Sequence, residues 1–576
     1  MAERLFENYM YGELLKTPGY EVEFALGLTY SLDLNALISI PMSLGMFGEI
    51  DESSEYDPIY MMAAIRKCQD KMAVFCNNGC IGVPKTDKLI YSLLADSIFP
   101  VKQIGNFHPK LWAIQEVNPK GERQIRLIVL SKNLTFSNNL EIAVSMTGEV
   151  SDKRQEKKEY QPVLNLINWI KKLASTDKQQ KIEELCRNIK KVKRFDVDAP
   201  FDKCEFLSFN KDKGLMNQKD VQNQLQGEKM IVFSPFVDVK TLKWLFEIAR
   251  LKTLVTCKES ITDEIQEYMG ERNVYVTSDN LTTDDGEIID LHAKMYFVSN
   301  ESGDYLYIGS ANATNSAFNR NTEVLLKLRF IPNKKNYSSF KKNTLDLVES
   351  MFIQDDGVFV EKREGCYTEE EKIFRDFVDN IKFAEIVGKK EPYRVEIKIK
   401  KSKWTMPITI KPLQSQQEAE VKANSLSVFF KNLKLKELSE LYVVTVGTKS
   451  KSQKKSIVKI KTKNLPKNVE EEIIQSIVDS ENAFMDYMSL YISEFPQDYL
   501  LKRKKTGEKG KGKDSPKKET VKYSAFYEEL LQKVCENPQC LDSIKRDVSL
   551  FGDKVPESFN QMFKKFCEAK NKLGKI

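Results

Sequence analysis

The sequence predicts an α/β protein made of two similar halves related by a pseudo-twofold axis, followed by a small β module and a helical C-terminal region. Three observations predict this class. A short pattern, H-x-K followed by a strand and then S-x-N, occurs twice along the chain. Before each copy, apolar strand-like runs alternate with helix-like segments, as in layered α/β folds. Beyond the second copy, alternating runs predict strands, and an apolar stripe of helical period predicts helices.

The first half is predicted over residues 1–150 and opens with a helix over residues 1–17. The run EVEFALGLTYSLD predicts a buried strand that ends in a polar turn, with Asp33 at the start of a helix. KMAVFCNNGC predicts a second strand and IYSLLADSI a helix, and the chain then enters NFHPKLWAI and RQIRLIVLSKNLTFSNNLE. This block supplies five candidate site residues: His108, Lys110, Ser131, Asn133 and Glu141.

The second half, residues 199–345, repeats the scheme after a helical connection at residues 151–198. We interpret the Lys- and Glu-rich connection as a solvated face. MIVFSPFVD takes the place of FALGLTYSLD, and the order of the elements indicates an internal duplication. LHAKMYFV and DYLYIGS predict two strands joined by the turn Asn300–Gly303. This block supplies a matching set of candidates: His292, Lys294, Ser310, Asn312 and Glu323.

The two histidines are the only ones in the chain, and each is the first residue of an H-x-K. A Lys two residues after a His along a strand points to the same face. Two such pairs brought together would surround one phosphate with imidazole and ammonium groups. A single H-x-K is usually a surface lysine beside an incidental histidine, and S-x-N alone is turn chemistry. Their joint occurrence, twice, favours a catalytic pair or one descended from a catalytic pair.

Each residue type has a chemical use in cleaving a phosphodiester. Imidazole titrates near neutral pH, so it can attack phosphorus or protonate a leaving oxygen. The Asn amides can donate hydrogen bonds to the phosphate oxygens, and the Ser hydroxyls can hydrogen-bond beside them. Glu141 and Glu323 can each orient an imidazole and so determine which ring nitrogen is free to react.

The paired motifs resemble the phospholipase D superfamily of phosphodiesterases, over about residues 20–345. Gly309–Asn312 (GSAN) matches the second block of the family, whereas Leu130–Asn133 (LSKN) has Leu where Gly is usual. The family pattern has an Asp five residues after the Lys, and here those positions hold Gln115 and Ser299. This departure resembles the branch typified by tyrosyl-DNA phosphodiesterase and some bacterial nucleases, in which the Asn takes the third place.

The resemblance implies a metal-independent phosphodiesterase with no cofactor and one site between two halves, so that a monomer suffices. It implies a phosphohistidine intermediate, with His108 as nucleophile and His292 as general acid, or the reverse. The leading hypothesis is a nuclease that cleaves DNA or RNA, by analogy in bacterial restriction or anti-phage defence. Two alternatives stay open: a phosphodiesterase for phospholipids or small molecules, and a non-catalytic scaffold with a relict site.

The chain beyond the second half predicts further modules. The predicted order is a helical connection at 346–391, an antiparallel β module at 392–464, a helical segment at 465–501, a basic linker at 502–520 and a helical segment at 521–576. In the β module, Val395, Ile397 and Ile399 alternate as in a strand with one buried side. The segment at 465–501 places these apolar residues on one helical face, which is typical of a core: Ile473, Ile477, Phe484, Met488, Tyr491 and Phe495.

The positive charge of the chain is assigned to the linker. Residues 502–518 carry nine basic and two acidic residues, a net charge of +7, whereas the whole chain carries +6. The rest of the chain therefore sums to about −1. Two interpretations stay open: a flexible tether for nucleic-acid phosphates, or a solvated loop. The C-terminal modules are also candidates for binding a protein partner.

Composition narrows the class of protein. An apolar content of 41% and a charged content of 30% over 576 residues are typical of globular proteins with several domains. No apolar run reaches the length of a membrane span, and the N-terminus lacks the pattern of a secretory signal. The ten cysteines do not have the spacing of a zinc site, and we expect them to be reduced thiols in the cytoplasm.

Overall fold

The computed structural model describes most of the chain. The described residues are 15, 17–41, 58–86, 89–136, 139–153, 158–207, 219–270, 273–277, 290–333, 336, 338–340, 342, 352–354, 367–448, 452–492, 518–536 and 538–573. Most of the predicted opening helix, the linker up to residue 517 and Phe495 lie outside this set. Among the described residues, no helix combines the length and the apolar character needed to cross a membrane.

One six-stranded sheet forms the centre of the first half. Its strands are β1 (Glu21–Thr29), β2 (Met72–Asn77), β3 (Ile98–Val101), β4 (Leu111–Val117), β5 (Arg123–Leu130) and β6 (Ala143–Glu149). They lie in the order β3-β2-β1-β4-β5-β6, in which β1, β2 and β3 are parallel and the others antiparallel. Strand β1 is buried on both faces from Phe24 onward, as expected for a continuous apolar run at the centre of a sheet. Helices α1 (Leu34–Pro41) and α2 (Pro58–Gln69) and a 3₁₀ segment (Leu89–Ser97) complete this half.

The second half repeats this sheet. Its strands are β7 (Phe201–Phe206), β8 (Gly227–Phe233), β9 (Ala249–Thr256), β10 (Asn273–Thr277), β11 (Met295–Asn300), β12 (Gly303–Gly309), β13 (Leu325–Phe330) and β14 (Phe352–Gln354). The order β10-β9-β8-β11-β12-β13 matches that of the first sheet strand by strand, and β14 and β7 extend its two edges. The predicted duplication is therefore confirmed, including the equivalence of β1 and β8 and the hairpin turn between β11 and β12.

The connection between the halves is part of the core. Its helices are α3 (Gln161–Lys171) and α4 (Thr176–Ile189). Leu166, Ile170 and Leu185 are buried in a hydrophobic cluster that also contains residues of both sheets. The interpretation of this connection as a solvated face was wrong. Each helix has a charged outer side, but its apolar stripe covers the sheets.

The remaining helices of the second half and the segment after it are short. They are α5 (Lys219–Leu225), α6 (Val239–Ile248), α7 (Asp263–Met269), α8 (Asn315–Asn319) and α9 (Glu369–Asn380). Helix α9 begins with a capping box, in which the Thr368 hydroxyl accepts from the backbone N–H of Glu371 and the Glu371 carboxylate accepts from that of Thr368. Residues 346–391 are therefore helical only in part.

The β module consists of two four-stranded sheets. Its strands are β15 (Ile381–Val387), β16 (Tyr393–Ile399), β17 (Ile408–Pro412), β18 (Ala419–Glu420), β19 (Ser427–Leu433), β20 (Leu441–Gly447), β21 (Gln453–Lys459) and β22 (Thr462–Lys463). The sheets have the orders β19-β16-β15-β22 and β18-β17-β20-β21. The pairing is antiparallel as predicted, except that β15 and β22 are parallel. Strand β15 lies in the segment predicted to be helical. The sequence did not indicate this strand because the alternation in IKFAEIV is short and follows helix α9 without a break.

The C-terminal helices pack against the first half. They are α10 (Val469–Ile477), α11 (Glu481–Ile492), α12 (Lys518–Glu536), α13 (Cys540–Val548) and α14 (Glu557–Leu573). The single predicted stripe is interrupted at residues 478–480, but Ile473, Phe484 and Met488 are buried as expected. Arg66 of α2 forms ion pairs with Glu470 and Asp547, and so joins the first half to two of these helices.

Candidate active site

The two H-x-K motifs lie at equivalent places in the two sheets. His108 and Lys110 occupy the extended segment just before β4, and His292 and Lys294 occupy the one just before β11. Each S-x-N begins directly after β5 or β12, the strand that pairs antiparallel with the strand following the H-x-K. The serine of each S-x-N therefore lies beside the H-x-K of its own half. Leu130 N donates to Lys110 O at 3.2 Å, and Gly309 N donates to Lys294 O at 3.4 Å.

The histidines are joined to glutamates of the opposite half. Backbone bridges pair Phe107 with Thr322 and Leu140 with Leu291. The next residues along the chain therefore also face each other across the interface, His108 with Glu323 and Glu141 with His292. His108 Nδ1 lies 2.9 Å from Glu323 Oε2. His292 Nδ1 lies 3.1 Å from Glu141 Oε2. A carboxylate accepts hydrogen bonds, so each Nδ1 carries the proton and each Nε2 keeps its lone pair.

The serines hold the glutamates. Ser131 Oγ donates to Glu141 and accepts from the backbone N–H of Ile142 at 2.9 Å. Ser310 Oγ donates to Glu323 and accepts from the backbone N–H of Val324 at 2.9 Å. A hydroxyl has one proton to donate, and here the carboxylate takes it. The serines therefore position the carboxylates, and their hydrogen bonding beside a phosphate stays a prediction.

The lysines are fully buried beside the histidines. Lys110 Nζ lies 3.1 Å from His108 Nε2 and 3.1 Å from the carbonyl oxygen of His108. Lys294 Nζ donates to the carbonyl oxygen of His292 at 2.5 Å. Asn312 is buried and Asn133 is half-buried, each two residues beyond its serine. The structure thus joins the predicted histidines, lysines, serines and glutamates at the interface between the halves.

The Leu in LSKN has a backbone explanation. Gly309 has φ +153°, and a Cβ there would lie 2.0 Å from the carbonyl oxygen of Val324. The second half therefore needs glycine at this position. Leu130 is not among the described non-glycine residues with positive φ, so the first half reaches the same arrangement with a side chain present.

Both imidazoles are held neutral by their surroundings. Burial, Lys110 and Lys294 hold the pKa of His108 well below its ordinary value of 6.5, and His292 adds to this effect. Burial also lowers the pKa of His292, and there Glu141 opposes the shift while Lys294 strengthens it. Burial alone would raise the pKa of the Glu141 carboxyl, but His292, Lys294 and Ser131 together hold it below its ordinary value.

The neutral histidines predict a pH-dependent stability. We expect the free energy of unfolding to fall as pH drops from about 7.5 through 6.5, because the unfolded chain then binds protons that the folded chain does not. The slope is at most about 1.4 kcal/mol per pH unit for each histidine. It is measured by urea unfolding of the untagged chain between about pH 7.5 and 5.5, a range above the ordinary pKa of carboxyl groups.

The matched variant is His108→Asn combined with His292→Asn. The chain has no other histidine, so this variant is expected to show a much flatter dependence over the same range. Equal slopes in the two proteins would contradict the lowered pKa values.

Sequence reasoning missed a polar cluster beside His108. The Tyr30 ring lies 5.1 Å from the His108 ring, and burial raises the pKa of the Tyr30 phenol. Arg375 Nη2 donates to Asn106 Oδ1 at 2.9 Å and to Tyr30 Oη at 3.4 Å. The Arg375 guanidinium also lies 3.7 Å from the centre of the Tyr367 ring. Tyr30 could have been suspected from its place in the polar turn after β1, but nothing in the sequence marks Arg375 of α9.

The two equivalent sheets and the two motif copies that meet between them confirm the predicted architecture of two related α/β halves. Beyond this fold, the comparisons with known proteins are distant. No protein-family model and no curated protein matches the sequence.

Among solved structures, the chain is similar to yeast tyrosyl-DNA phosphodiesterase, with 11% identity, a TM-score of 0.38, and coverage of 58% of this chain and 90% of that chain. It is similar to phosphatidylserine synthase from Haemophilus influenzae, with 9% identity, a TM-score of 0.33, and coverage of 60% and 84%. It is also similar to NucT from Helicobacter pylori, with 16% identity, a TM-score of 0.21, and coverage of 27% and 99%. At these identities, the chemistry proposed below depends on the geometry of the site itself.

Proposed function

We propose that this protein is a metal-independent phosphodiesterase that cleaves nucleic acid through a phosphohistidine intermediate. The observation that carries the proposal is the pair of cross-half contacts between His108 and Glu323 and between His292 and Glu141. Each contact holds an imidazole by Nδ1 and leaves Nε2 as the reactive nitrogen. A fully buried lysine accompanies each imidazole. Two oriented imidazoles and two ammonium groups suit a phosphodiester, which requires a nucleophile, an acid and cations for its oxygens.

The reaction takes place in two displacements. In the first, Nε2 of one imidazole attacks phosphorus, a P–N bond forms, and the P–O bond to the leaving group breaks while the second imidazolium gives that oxygen a proton. In the second, the now neutral second imidazole takes a proton from water. The resulting hydroxide attacks phosphorus, the P–N bond breaks, and the first imidazole is released.

His108 suits the role of nucleophile and His292 the role of acid. The pKa of His108 lies well below the ordinary value, which keeps Nε2 unprotonated. Glu141 counteracts the lowering at His292, so His292 takes up a proton more readily when a phosphate anion enters. The side chain of His292 is also the more accessible of the two, with 20% exposure against 11% for His108.

The lysines and asparagines would bind the phosphate. Lys110 lies against His108 Nε2, where a bound phosphate oxygen could replace the imidazole as its partner. Lys294 occupies the equivalent place in the second half. Asn133 and Asn312 would donate amide hydrogens to the same oxygens and so stabilise the charge that develops at phosphorus.

We further propose DNA or RNA as the substrate and bacterial anti-phage or restriction defence in the cytoplasm as the setting. The support is the resemblance to the branch in which an Asn takes the third place of the motif, together with the C-terminal modules beyond the two halves. A monomer contains every residue of the site. Hydrolysis of phospholipids or small phosphodiesters, and a relict site on a scaffold, are the outcomes that the following test would detect.

The test is nuclease activity on single- and double-stranded DNA and RNA in excess EDTA. Cleavage by the wild type is expected to survive EDTA. The variants His108→Ala and His292→Ala should be inactive, whereas Lys193→Ala, which removes an exposed charge outside the candidate site, should keep its activity. The EDTA arm is informative because Cys257, Glu259 and Asp290 place three metal-ligand atoms within 4.8 Å of one another, and Asp290 lies two residues before His292. Activity that needs a metal ion, or that ignores both histidines, would overturn the proposal.

A further inference from the structure

The β module carries the largest positive charge of any part of the chain. Residues 381–464, which contain all eight strands of the module, have twenty Lys and Arg residues and seven Glu residues, a net charge of +13. The whole chain carries +6 and the linker +7, so the remainder is nearly neutral. This remainder consists of a strongly basic module and of other segments that are acidic in sum. Such a charge on a folded domain points to a polyanionic partner.

Part of this charge lies on one exposed face of a sheet. In the sheet β19-β16-β15-β22, alternate residues such as Val395, Ile397 and Phe430 point into the core. The opposite side chains form what we call the outer sheet face, made of Phe383, Glu385, Val387, Arg394, Glu396, Lys398, Phe429, Lys431 and Lys463. Glu396 is paired with Lys398 at 2.5 Å and Glu385 lies opposite Lys463 in the strand register. The four cations outnumber these two acids, so the face keeps a net positive charge.

Aromatic rings alternate with cations on the outer sheet face. The Arg394 guanidinium lies 4.6 Å from the centre of the Phe429 ring, which is 41% exposed. Lys463 Nζ lies 3.9 Å from the centre of the Phe383 ring. The strand register places Phe429 beside Glu396, Glu396 beside Glu385, and Glu385 beside Lys463. One aromatic–cation pair therefore spans β19 and β16 and the other spans β15 and β22, so the strands of the two rings are two strand spacings apart, about 10 Å.

From these observations we infer that the outer sheet face binds single-stranded nucleic acid. Bases stack on exposed aromatic rings irrespective of sequence, while lysines and arginines follow the phosphates between them. Duplex DNA keeps its bases stacked on one another and offers this face only its phosphates. Because Phe383 and Phe429 are separated and surrounded by cations, the face lacks the continuous apolar patch expected for a protein partner.

Polar contacts join the end of α9 to the residue after β16 and to the loop that leads to His108. Lys400 N donates to Asn380 O at 2.9 Å at the end of α9. Asp379 of the same helix accepts from Lys102 Nζ at 2.8 Å through its carbonyl oxygen and pairs with it at 3.0 Å through its carboxylate. Lys102 begins the loop that leads to His108. Helix α9 thus connects the β module to the segment that carries His108 and, through Arg375, to Tyr30.

The test measures binding of fluorescein-labelled oligo(dT) of about 20 nucleotides by fluorescence anisotropy. Every protein carries His108→Ala so that the probe stays intact, and every protein keeps the basic linker at residues 502–518. The face variant is Arg394→Ala, Phe429→Ala and Lys431→Ala. The matched control is Lys172→Ala, Leu173→Ala and Lys193→Ala, which also removes two cations and one exposed apolar side chain.

We expect the face variant to bind at least about tenfold more weakly than the control in low salt. Two lost phosphate contacts should also reduce the slope of log K against log [KCl] by roughly 1.4 for a single strand. Phe429→Ala alone should weaken binding with no change in that slope, and a duplex probe should bind more weakly than oligo(dT). Equal affinities of the face variant and the control, in proteins with equal melting temperatures, would overturn the inference. A duplex bound as tightly as the single strand would overturn its single-strand part.

The inference goes beyond the proposed function, and the two can fail separately. With His108 restored, the face variant should hydrolyse a small p-nitrophenyl ester of thymidine phosphate at the wild-type rate, because that substrate reaches only the site between the halves. Loss of that hydrolysis would place the face residues in the catalytic site and overturn the separate binding surface. Weakened oligonucleotide binding in a protein that cleaves no phosphodiester at all would support the surface and contradict the proposed function.

Discussion

With thymidine 5′-(p-nitrophenyl) phosphate as substrate, His108→Ala is expected to abolish nitrophenolate release, whereas His292→Ala is expected to retain a single burst. Nitrophenolate is a stable anion that leaves without a proton, so the first displacement does not need the acid. The nucleophile, in contrast, is needed for any release through a covalent path. We expect a loss of about 1,000-fold or more in His108→Ala, and a first displacement slowed by no more than about tenfold in His292→Ala.

The measurement is rapid-mixing absorbance of nitrophenolate combined with mass spectrometry of the protein. In His292→Ala, the burst should match the amount of enzyme and leave a thymidylyl group on His108, because no imidazole remains to activate water. The control is a phosphodiester with a sugar hydroxyl as leaving group, on which both variants should be inactive. A burst in His108→Ala alone would exchange the two roles. A burst in neither variant, with an active wild type, would contradict the covalent mechanism.

The sequence was most informative where chemistry requires particular residue types at short range. A chain with only two histidines, each followed by a lysine two residues later, leaves few choices for the reactive groups. The duplication could be predicted because equal element order implies equal strand order in sheets of this class. Both follow from local patterns, which survive in a single sequence without any knowledge of how the halves pack.

The contacts between residues of one half and residues of the other could not be predicted from local patterns. His108 and Glu323 are 215 positions apart, and either glutamate could have served either histidine. The pairing is decided by the backbone bridge between Phe107 and Thr322, which is a property of the assembled interface. The role of Ser310 depends on the same arrangement, since its hydroxyl meets a carboxylate only once Glu323 is fixed in place.

The prediction that the connection between the halves is a solvated face was wrong because its helices are amphipathic. In α3 and α4, the many charged residues suggested a solvated face, although Leu166 and Leu185 cover the sheets. Arg375 was missed for a related reason. A single arginine on a charged helix has no distinguishing pattern, and its proximity to Tyr30 arises from the packing of α9 against the first half.

The cross-half pairing predicts that a substitution in one half impairs the chemistry of the other. Glu323→Gln lies in the second half but should impair the nucleophile of the first, with nitrophenolate release slowed by roughly 100-fold to 1,000-fold. Glutamine lacks the negative charge that stabilises the attacking imidazole. It also offers one acceptor oxygen where Glu323 accepts from His108, Ser310 and Asn321, so its amide N–H₂ must face a donor.

Glu141→Gln should show the opposite selectivity. This residue lies in the first half but orients His292, so the burst of nitrophenolate should stay within about tenfold of the wild-type rate, while cleavage of a natural phosphodiester falls by roughly 100-fold or more. Both variants are compared on the two substrates, with Lys193→Ala as the control. If each glutamate served the histidine of its own half, the two selectivities would be interchanged. The crossed pattern would show that neither half contains a working histidine by itself, and that each reactive imidazole is completed by the carboxylate of the other half.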